Sequence, residues 1–537
     1  MASPEQEQQL PLAEIEMPQG AAEAEPLPTL AGPPRIPRLK PIVRNQMILR
    51  TVVVEDLLEP DHPARALWEL VGGLDLSRFY ASIKAVEGRA GQDAYDPHLL
   101  ICLWIYAYSE GVSSAREVSR RCDYHPAYQW LTGIKSVNYH SLADFRVQYK
   151  EALDGLFAQV LAVLQSQGLI ELQRVTQDGT KIQAAASQAS LHREKTLQRH
   201  LEEAQKRVQE MEQQAAQEPA EGSKRQRAAQ ERAAREKVEK MKKAMEELAQ
   251  VQKERAGQTP AEECRVSETE PQAHKMKHPD GSFAPSYNVQ LVADAKADLI
   301  VAAQVTQAAN DQGQLGPGLD EVQRQCQQAP EQALVDDGYV SRSTVLEMEQ
   351  RRVELIGTGH VEQNCDPEKA ARNCDRRGVA PEFYPQQFRY DAEHDLYVCP
   401  AGQQLPHRGV KHDRAGVERH LYRAKGSTCR SCPFQAQCCP TSGKSTQGRT
   451  IVRTQNDPLV DAFVEKMKTP EAQAIYRQRK QIAEFPNLWI KEKLGLRRFR
   501  VRGLIKVGCE VLWACLTYNL QQWIRLRWKP KFLTAAA

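Results

Sequence analysis

A long stretch of polar, helix-forming sequence interrupts the middle of this chain. From about Leu191 to Lys253 most residues are Glu, Gln, Lys, Arg and Ala. Apolar residues recur there at alternating spacings of four and three, in two series: Leu197, Leu201, Ala204, Val208, Met211 and Ala215, then Ala234, Val238, Met241, Met245 and Leu248. With a turn near 219–223, the two series predict an antiparallel helical hairpin with coiled-coil packing over 188–255. Such a hairpin serves either as a structural arm or as a surface that binds DNA or a partner.

The sequence on both sides of the hairpin alternates between strand and helix signals. Strands are predicted at 172–177, 287–293, 299–305, 332–335 and 353–357, and helices at 310–327 and 341–351. This alternation predicts an α/β core over 168–528, interrupted by the hairpin and by a cysteine-bearing insertion at 360–455. Acids follow two of the strands, and a metal site in such a fold lies where strands end.

The regions that flank the core have different compositions. Residues 1–45 are rich in Pro, Glu, Gln and Ala with little apolar patterning, which predicts a disordered leader. Residues 46–167 contain short amphipathic helices joined by tight turns, with arginines among them. They form either a helix-turn-helix DNA reader or a helical domain that packs on the core. Residues 529–537 form a short tail.

Charge is distributed unevenly along the 537 residues. The net charge is only +3, but 477–531 contain 14 Lys and Arg against 3 Glu. Such a concentration indicates a surface that faces phosphates, although a solvated basic helix would have the same composition.

The most apolar run, at 99–108, is about half the length that a membrane span needs, so no membrane association is expected. Thirteen mostly scattered cysteines indicate a reducing compartment. The first basic residue is Arg35, so a signal peptide is not expected, and the predicted location is the cytoplasm, with nucleoid contact if DNA is the substrate.

Three acids are candidates for a divalent-metal site. Asp178 and Asp336 each follow a predicted strand and precede a nearby glycine, and Glu484 lies in a predicted helix. Magnesium prefers oxygen ligands, and two such ions activate the nucleophile and stabilise the leaving oxygen in phosphodiester chemistry. Taken singly, an Asp-Gly after a strand is more often a turn. Together with the basic C-terminal region, the acids indicate a metal-dependent nucleic-acid enzyme.

The same residues carry a family resemblance. From about Arg44 to Leu526 the chain resembles the DDE-type transposases of bacterial insertion sequences, whose catalytic domain is ribonuclease-H-like. The matching segments, in family order, are Tyr95-Asp-Pro-His-Leu-Leu, Gln177-Asp-Gly-Thr-Lys-Ile, Tyr287-Asn-Val-Gln, Val335-Asp-Asp-Gly-Tyr, and Tyr476 to Lys491 with the Arg-Gly-Leu that follows.

The resemblance implies roles for particular residues. Asp178, Asp336 and Glu484 would be the catalytic triad that binds two Mg²⁺ or Mn²⁺ ions. Asp336 is preferred over Asp337 because the family's aspartate lies two residues before the glycine. A Tyr-Arg-Glu-Lys signature that contacts phosphates would correspond to Tyr476, Arg479 or Lys480, Glu484 and Lys491. The sequence departs from the family pattern at Gln272, where an acid is expected after the proline.

A cysteine cluster indicates a second metal. Cys399, Cys429, Cys432 and Cys438 include one CxxC pair, and four thiolates suit tetrahedral Zn²⁺. Cys439 is the less favoured fourth ligand. The alternative is a set of reduced, buried cysteines or a site that no longer binds metal. His407 and His412 lie near in sequence, but four thiols would already close the zinc shell.

The residues after Glu484 are further candidates for DNA contact. Trp489 is either a base-stacking residue or a core tryptophan. The arginines at 497, 498, 500 and 502 (Arg497, Arg498, Arg500 and Arg502) are predicted phosphate contacts.

These observations predict a transposase that binds the terminal inverted repeats of its element, cleaves there and joins the ends to target DNA. Both substrates are double-stranded DNA, and pairing of two ends implies at least a homodimer. The first alternative is a decayed or domesticated transposase that acts as a DNA-binding protein. A structural coiled-coil protein would explain the hairpin but leave the acids without a role.

Overall fold

The described part of the chain begins with short helices that have well-defined N-caps. In a computed structural model the described residues are 51–85, 93–217, 224–256, 259–358, 367–412, 418–440, 447–454 and 458–536. Asp96, His125 and Asn138 each accept a hydrogen bond from a backbone N–H of the first turn of the helix that follows. The first helices are α1 (Pro63–Gly72), α2 (Ser77–Tyr80), α3 (Pro97–Ser109), α4 (Ala115–Tyr124), α5 (Pro126–Thr132), α6 (Tyr139–Gln148) and α7 (Lys150–Ser166). The leader expected over 1–45 lies outside the described residues.

The remaining helices are distributed through the rest of the chain. They are α8 (Glu194–Gln217), α9 (Lys224–Glu254), α10 (Leu315–Cys326), α11 (Arg342–Arg351), α12 (Pro367–Arg376), α13 (Gly426–Arg430), α14 (Gln435–Cys438), α15 (Pro458–Lys468), α16 (Pro470–Glu492), α17 (Leu504–Trp523) and α18 (Lys529–Ala536). Helix α10 begins at Leu315, five residues after the predicted start at Asn310. No helix among the described residues is both long enough and apolar enough to cross a membrane.

The strands form three sheets within the described residues. In chain order they are β1 (Arg174–Gln183), β2 (Leu191–His192), β3 (Val266–Ser267), β4 (His274–Lys277), β5 (Phe283–Asp294), β6 (Leu299–Thr306), β7 (Gln332–Val335), β8 (Glu354–Gly357), β9 (Arg389–Asp391), β10 (Leu396–Val398), β11 (Gln404–His412), β12 (Glu418–Lys425) and β13 (Gln447–Thr454). The fold is therefore mixed α/β, as the sequence predicts.

The largest sheet combines antiparallel and parallel pairing. Its strand order is β6-β5-β1-β7-β8, and β4 pairs with the N-terminal end of β5. Strand β1 is antiparallel to β5 and parallel to β7, and β7 is parallel to β8. Helices α10 and α11 connect β6 to β7 and β7 to β8. Because β1 pairs with β5 as far as Gln183, it continues through Asp178; the prediction that this strand ends at Asp178 is therefore wrong.

The N-terminal helices pack against the C-terminal helix α17. Helix α3 is buried almost all round, and the Trp513 indole N–H of α17 donates to the Arg146 carbonyl oxygen of α6 at 3.0 Å. Glu510 of α17 is fully buried, 3.8 Å from the Arg146 guanidinium, which lies over the Trp104 ring. These contacts pack the N-terminal helices on the core; a DNA-reading role for them stays a prediction.

Two insertions leave the largest sheet. Helices α8 and α9 pack on each other, with Leu197, Ala244 and Leu248 in a shared apolar cluster, and the short β2–β3 pair lies at their base. The second insertion contains an antiparallel sheet of order β13-β12-β11-β10-β9. Its apolar cluster includes Leu405 and Tyr422.

Candidate active site

Asp178 and Asp336 lie at the same level on two adjacent parallel strands. Thr176 of β1 pairs with Leu334 of β7. Two residues further along each strand are Asp178 and Asp336, so the register places the two acids side by side where β7 ends. The parallel pairing thus brings the two acids together at the end of β7, although β1 itself continues.

Asp178 is held by two hydrogen bonds and is partly desolvated. The Gly179 backbone N–H donates to its Oδ1 at 3.0 Å, and Asn487 Nδ2 of α16 donates to its Oδ2 at 2.9 Å. Burial raises the pKa of Asp178 to about 6, the Arg479 guanidinium opposes that rise, and the Asp311 and Asp336 carboxylates add to it. The ionised form of Asp178 is therefore disfavoured mainly by burial, with a contribution from the two neighbouring carboxylates.

Asp311 is a third acid of this site that the sequence analysis missed. Its Oδ1 accepts hydrogen bonds from Asn288 Nδ2 at 2.8 Å and from Gln290 Nε2 at 2.7 Å, both on β5. It falls within the predicted helix at 310–327, but that helix starts later, which leaves Asp311 in the connection after β6. An Asn-Asp pair between a strand and a helix was the available signal.

Gly179 makes room for Asp311. A Cβ atom at Gly179 would lie 2.2 Å from Asp311 Oδ1 and 2.5 Å from Gln290 Nε2. Gly179 is within β1 and pairs with Gln290, so the Asp178-Gly179 pair is not a turn. The glycine is explained by the close approach of a side chain rather than by its backbone conformation.

Asp336 interacts with a cation of α16. Its Oδ1 lies 3.6 Å from Arg479 Nη2, and the Arg479 side chain is only 15% exposed. The Asp337 backbone N–H donates to Asp336 Oδ1 at 2.9 Å. Asp337 itself is exposed. Of the two adjacent aspartates, the structure therefore brings Asp336 into the cluster with Asp178, which agrees with the preference from the sequence.

Helix α16 runs past these acids and carries Glu484. Thr469 caps its start by accepting from the Ala472 N–H, and Asn487 anchors its middle to Asp178. Glu484 is exposed and lies one turn before Asn487, so the two residues share a helix face. Among the described residues, the three-residue groups whose candidate ligand atoms lie within 4.8 Å of one another include neither Glu484 nor Asp178, Asp336 or Asp311. Its role as the third acid stays a prediction.

The residues of the Tyr-Arg-Glu-Lys signature lie along the same helix. The Thr358 hydroxyl, directly after β8, donates to the Tyr476 hydroxyl at 2.9 Å, and the Arg479 guanidinium is 5.9 Å from the Tyr476 ring centroid. Lys480 is exposed. Lys491 is half-buried; burial lowers its pKa, and the Asp178 carboxylate opposes that effect.

Trp489 packs into the protein interior. Its Nε1 donates to Gln521 Oε1 at 2.7 Å, and its ring lies 5.4 Å from that of Phe485 and 6.4 Å from that of Tyr518. These contacts match the core interpretation of Trp489 rather than the base-stacking one.

The four C-terminal arginines make different contacts. Arg498 donates to the Ala184 and Ala186 carbonyl oxygens at 3.1 and 2.9 Å, and Arg502 donates to that of Ala185 at 3.0 Å. These two arginines attach their segment to the end of β1. Arg497 pairs with Glu492. The Arg500 side chain is exposed.

The segment with Gln272 supports the start of α17. Gln272 Oε1 accepts from the Leu504 N–H at 2.8 Å, and Glu270 Oε1 accepts from the Gly503 N–H at 2.6 Å. A neutral amide at 272 therefore has a structural partner in this chain.

The cysteines of the second insertion surround one small cavity. All five thiols line a space of about 30 Å³, next to Leu405 and Ala424: Cys399, Cys429, Cys432, Cys438 and Cys439. Backbone N–H groups of Gln403 and Arg449 donate to two of the sulfurs, at 3.2 and 3.4 Å. Burial raises the pKa of Cys429, and the hydrogen bond that Cys438 shares with Cys439, together with burial, raises that of Cys438.

Two family matches agree with these features. Residues 52–148 match a transposase domain family (DUF772), and residues 398–524 match the transposase DDE domain family. These two matches support a DDE-type transposase of an insertion element. The DDE match implies a nuclease or transposase enzyme, a DNA substrate and dependence on divalent metal. No curated protein and no solved structure matches this transposase.

The two matches cover only part of the site. The DDE match includes Glu484, Lys491 and the cysteine cluster, whereas Asp178 and Asp336 lie outside both matched ranges. Their assignment therefore depends on the register and contacts described above.

Proposed function

We propose that this transposase cleaves DNA at the terminal inverted repeats of its element and transfers the ends to target DNA, with a ribonuclease-H-like core as catalytic domain. The strand path β6-β5-β1-β7-β8, with an antiparallel first half and parallel β1, β7 and β8, supports this fold. The single observation that carries the proposal is the placement of Asp178 and Asp336 side by side, with Asp311 beside Asp178.

The acids fit a divalent-metal site. Asp178 would bind two Mg²⁺ or Mn²⁺ ions together with Asp336 and Glu484, and carboxylates are the ligands these hard ions prefer. Burial raises the pKa of Asp178 to about 6, and the Asp311 and Asp336 carboxylates add to that rise; a divalent cation would stabilise the ionised form. Bound ions of this kind activate the nucleophile and stabilise the leaving oxygen.

The protein's own side chains would orient these acids and the DNA. Asn487 and the Gly179 N–H fix the two oxygens of Asp178, and Arg479 holds Asp336. Lys480 and Arg500 are exposed and would bind phosphates. Since two element ends must be brought together, we propose that the active form is at least a homodimer.

The cysteine cluster would bind a structural Zn²⁺ ion. Cys399, Cys429, Cys432 and Cys438 remain the proposed ligands. The Arg449 N–H aimed at Cys429 opposes the rise that burial causes in the pKa of that thiol, because a hydrogen bond to the charged form stabilises it. His407 lies 3.6 Å from Asp395 and its ring stacks near that of His420, so it has other partners.

Cleavage of labelled DNA that carries the element's own ends tests this function. The wild type should cleave in Mg²⁺ or Mn²⁺, whereas Asp178→Asn and Asp336→Asn should not, because each removes a charged metal ligand. Asp337→Asn is the matched control, since it makes the same substitution at the adjacent exposed aspartate and should retain cleavage.

Three other results would be informative. Specific binding of the ends without cleavage by any form would favour a decayed or domesticated DNA-binding protein. Equal cleavage by wild type and Asp178→Asn would refute the site. If Asp337→Asn loses cleavage and Asp336→Asn keeps it, the metal ligand is Asp337 and not Asp336.

A further inference from the structure

Two histidines and a glutamate meet at the base of the helical hairpin, away from the acids of the candidate active site. His192 is the last residue of β2, His200 lies in α8, and Glu268 directly follows β3. One ligand atom from each lies within 4.8 Å of the other two. Glu268 Oε2 is 2.8 Å from His200 Nδ1 and 3.7 Å from His192 Nε2. The imidazole centroids are 5.1 Å apart.

The backbone holds the three residues in place. His192 pairs with Val266 across the β2–β3 ladder, and the Glu268 backbone N–H donates to the Ser190 carbonyl oxygen at 3.0 Å. The Ser190 and Ser267 hydroxyls are 2.7 Å apart and buried. These contacts fix the strands that carry His192 and Glu268 before any ligand binds.

Helix α8 is anchored independently. Leu197, one turn before His200, is fully buried in the cluster with Leu248 and Val251 of α9. Residues three apart on a helix lie on neighbouring positions of one face. The position of His200 is therefore set by packing rather than by its own contact with Glu268.

We propose that His192, His200 and Glu268 bind one divalent transition-metal ion, with Zn²⁺ as the best-suited candidate. Two imidazoles and a carboxylate are common Zn²⁺ ligands at about 2.0–2.2 Å. In a tetrahedral site these bond lengths place ligand atoms about 3.4 Å apart. The observed separations of 2.8 and 3.7 Å from Glu268 Oε2 bracket that value. The three side chains are 22–29% exposed, so a water molecule would complete the shell.

Binding requires one rearrangement in the surroundings. Arg199 Nη2 lies 3.2 Å from His200 Nε2, which accepts that hydrogen bond when Nδ1 carries the proton. An ion at Nδ1 moves the proton to Nε2, so Arg199 must turn away. Arg199 already pairs with Glu203 at 2.9 Å and is exposed, so this movement costs little.

The ion would connect the two ends of the hairpin. His192 and His200 are at its start and Glu268 comes after its end, so coordination closes a long segment of chain at one point. Cross-links that close long segments reduce the conformational freedom of the open state. The bound ion would thus stabilise the attachment of the hairpin to the core. This effect does not depend on whether the protein cleaves DNA.

Zinc binding to the full-length protein tests this proposal. Metal is first removed by dialysis against a metal-chelating resin. Zinc content and zinc affinity are then measured for the wild type and for His192→Ala/His200→Ala. Both proteins are also measured with Cys429→Ser/Cys432→Ser, so that zinc bound by the cysteine cluster is distinguished from zinc bound by the histidines. The histidine variant should bind one zinc fewer per chain in both backgrounds. His394→Ala/His412→Ala, which changes two exposed histidines elsewhere, should bind as the wild type does.

A conservative variant covers the case in which the histidine variant does not fold. Glu268→Gln keeps an oxygen that accepts from His200, and it should weaken zinc binding by more than about tenfold, since even outer-shell changes cost about 10–100-fold. Zinc should also slow hydrogen exchange in α8 and α9 of the wild type only. Unchanged zinc content in a folded histidine variant, or unchanged affinity in Glu268→Gln, would overturn the proposal.

Discussion

Replacing Asp178 by Asn should stabilise the metal-free protein. Burial and the neighbouring carboxylates raise the pKa of Asp178 from 3.8 to about 6, so at neutral pH the folded chain holds a carboxylate in an unfavourable environment. A neutral amide of the same shape removes that cost. It also has a partner: within the described part of the chain Asn487 Oδ1 is buried without a hydrogen bond, and the amide introduced at position 178 could donate to it.

The size of the effect follows from the pKa. Each pKa unit corresponds to about 1.4 kcal/mol, so the ionised carboxylate is at most about 3 kcal/mol less favourable in the folded chain. Because Asp178 is only half-buried, solvent screening reduces this to about 1–3 kcal/mol. At about 2.1 cal/mol/K of unfolding entropy per residue, a 537-residue chain that unfolds as one unit would gain about 1–3 °C in Tm.

The pH dependence distinguishes this cause from a general packing effect. Because the pKa of Asp178 is higher in the folded than in the unfolded chain, protonation of this carboxyl stabilises the folded state. That stabilisation is lost as pH rises through about 6. The advantage of Asp178→Asn should therefore be nearly absent at pH 4, about half developed at pH 5, and complete above pH 7.

Thermal unfolding by circular dichroism in buffer without Mg²⁺ or Mn²⁺, between pH 4 and 8, measures this difference. Asp320→Asn is the opposing control: Arg351 lowers the pKa of Asp320, so that variant should gain nothing. An Asp178→Asn protein that is less stable than the wild type at pH 7.5 would refute the reasoning, since it would mean that Arg479 more than compensates the burial.

Three further outcomes are expected. Gly179→Ala should displace the Asp311 carboxylate, destabilise the fold by about 1–3 kcal/mol and weaken Mn²⁺ binding measured by calorimetry. Glu510→Ala should cost about 3–5 kcal/mol, seen as a lower Tm, because it leaves the Arg146 guanidinium buried without its carboxylate. Mn²⁺ affinity of the wild type should fall as pH drops through about 6, where Asp178 gains a proton, and an affinity that does not change between pH 5 and 7.5 would argue against Asp178 as a ligand.

The regular α/β elements were predictable because their patterns are local. Strand β7 has the bounds that the buried apolar run indicates, and the heptad series places Leu197 and Leu248 in one cluster. The sheet of the second insertion was not predicted. Two of its strands, β9 and β10, have three residues each, too few to show alternation, and β12 carries charged residues at both ends and at partly buried positions.

The site was only partly predictable, since it depends on pairing between distant segments. Asp178 and Asp336 could be selected because each follows a predicted strand and precedes a nearby glycine. Asp311 could not, because its role depends on two amides of β5 and on the missing side chain of Gly179. The local sequence offers only the Asn310-Asp311 pair and Gly179 as signals, and neither shows that the two segments approach each other.

The contacts of the C-terminal arginines limit which of these side chains are available to bind DNA. Arg498 and Arg502 lie in a segment whose composition is typical of a phosphate-binding surface. Their guanidinium groups nevertheless donate hydrogen bonds to the carbonyl oxygens of residues 184–186, at the end of β1. That arrangement fixes the segment after α16 relative to the strand that carries Asp178. These arginines therefore have structural partners, and under the proposed function the exposed Lys480 and Arg500 would neutralise phosphates. Substitution of Lys480 or Arg500 should weaken DNA binding in a salt-dependent way, whereas substitution of Arg498 should lower Tm.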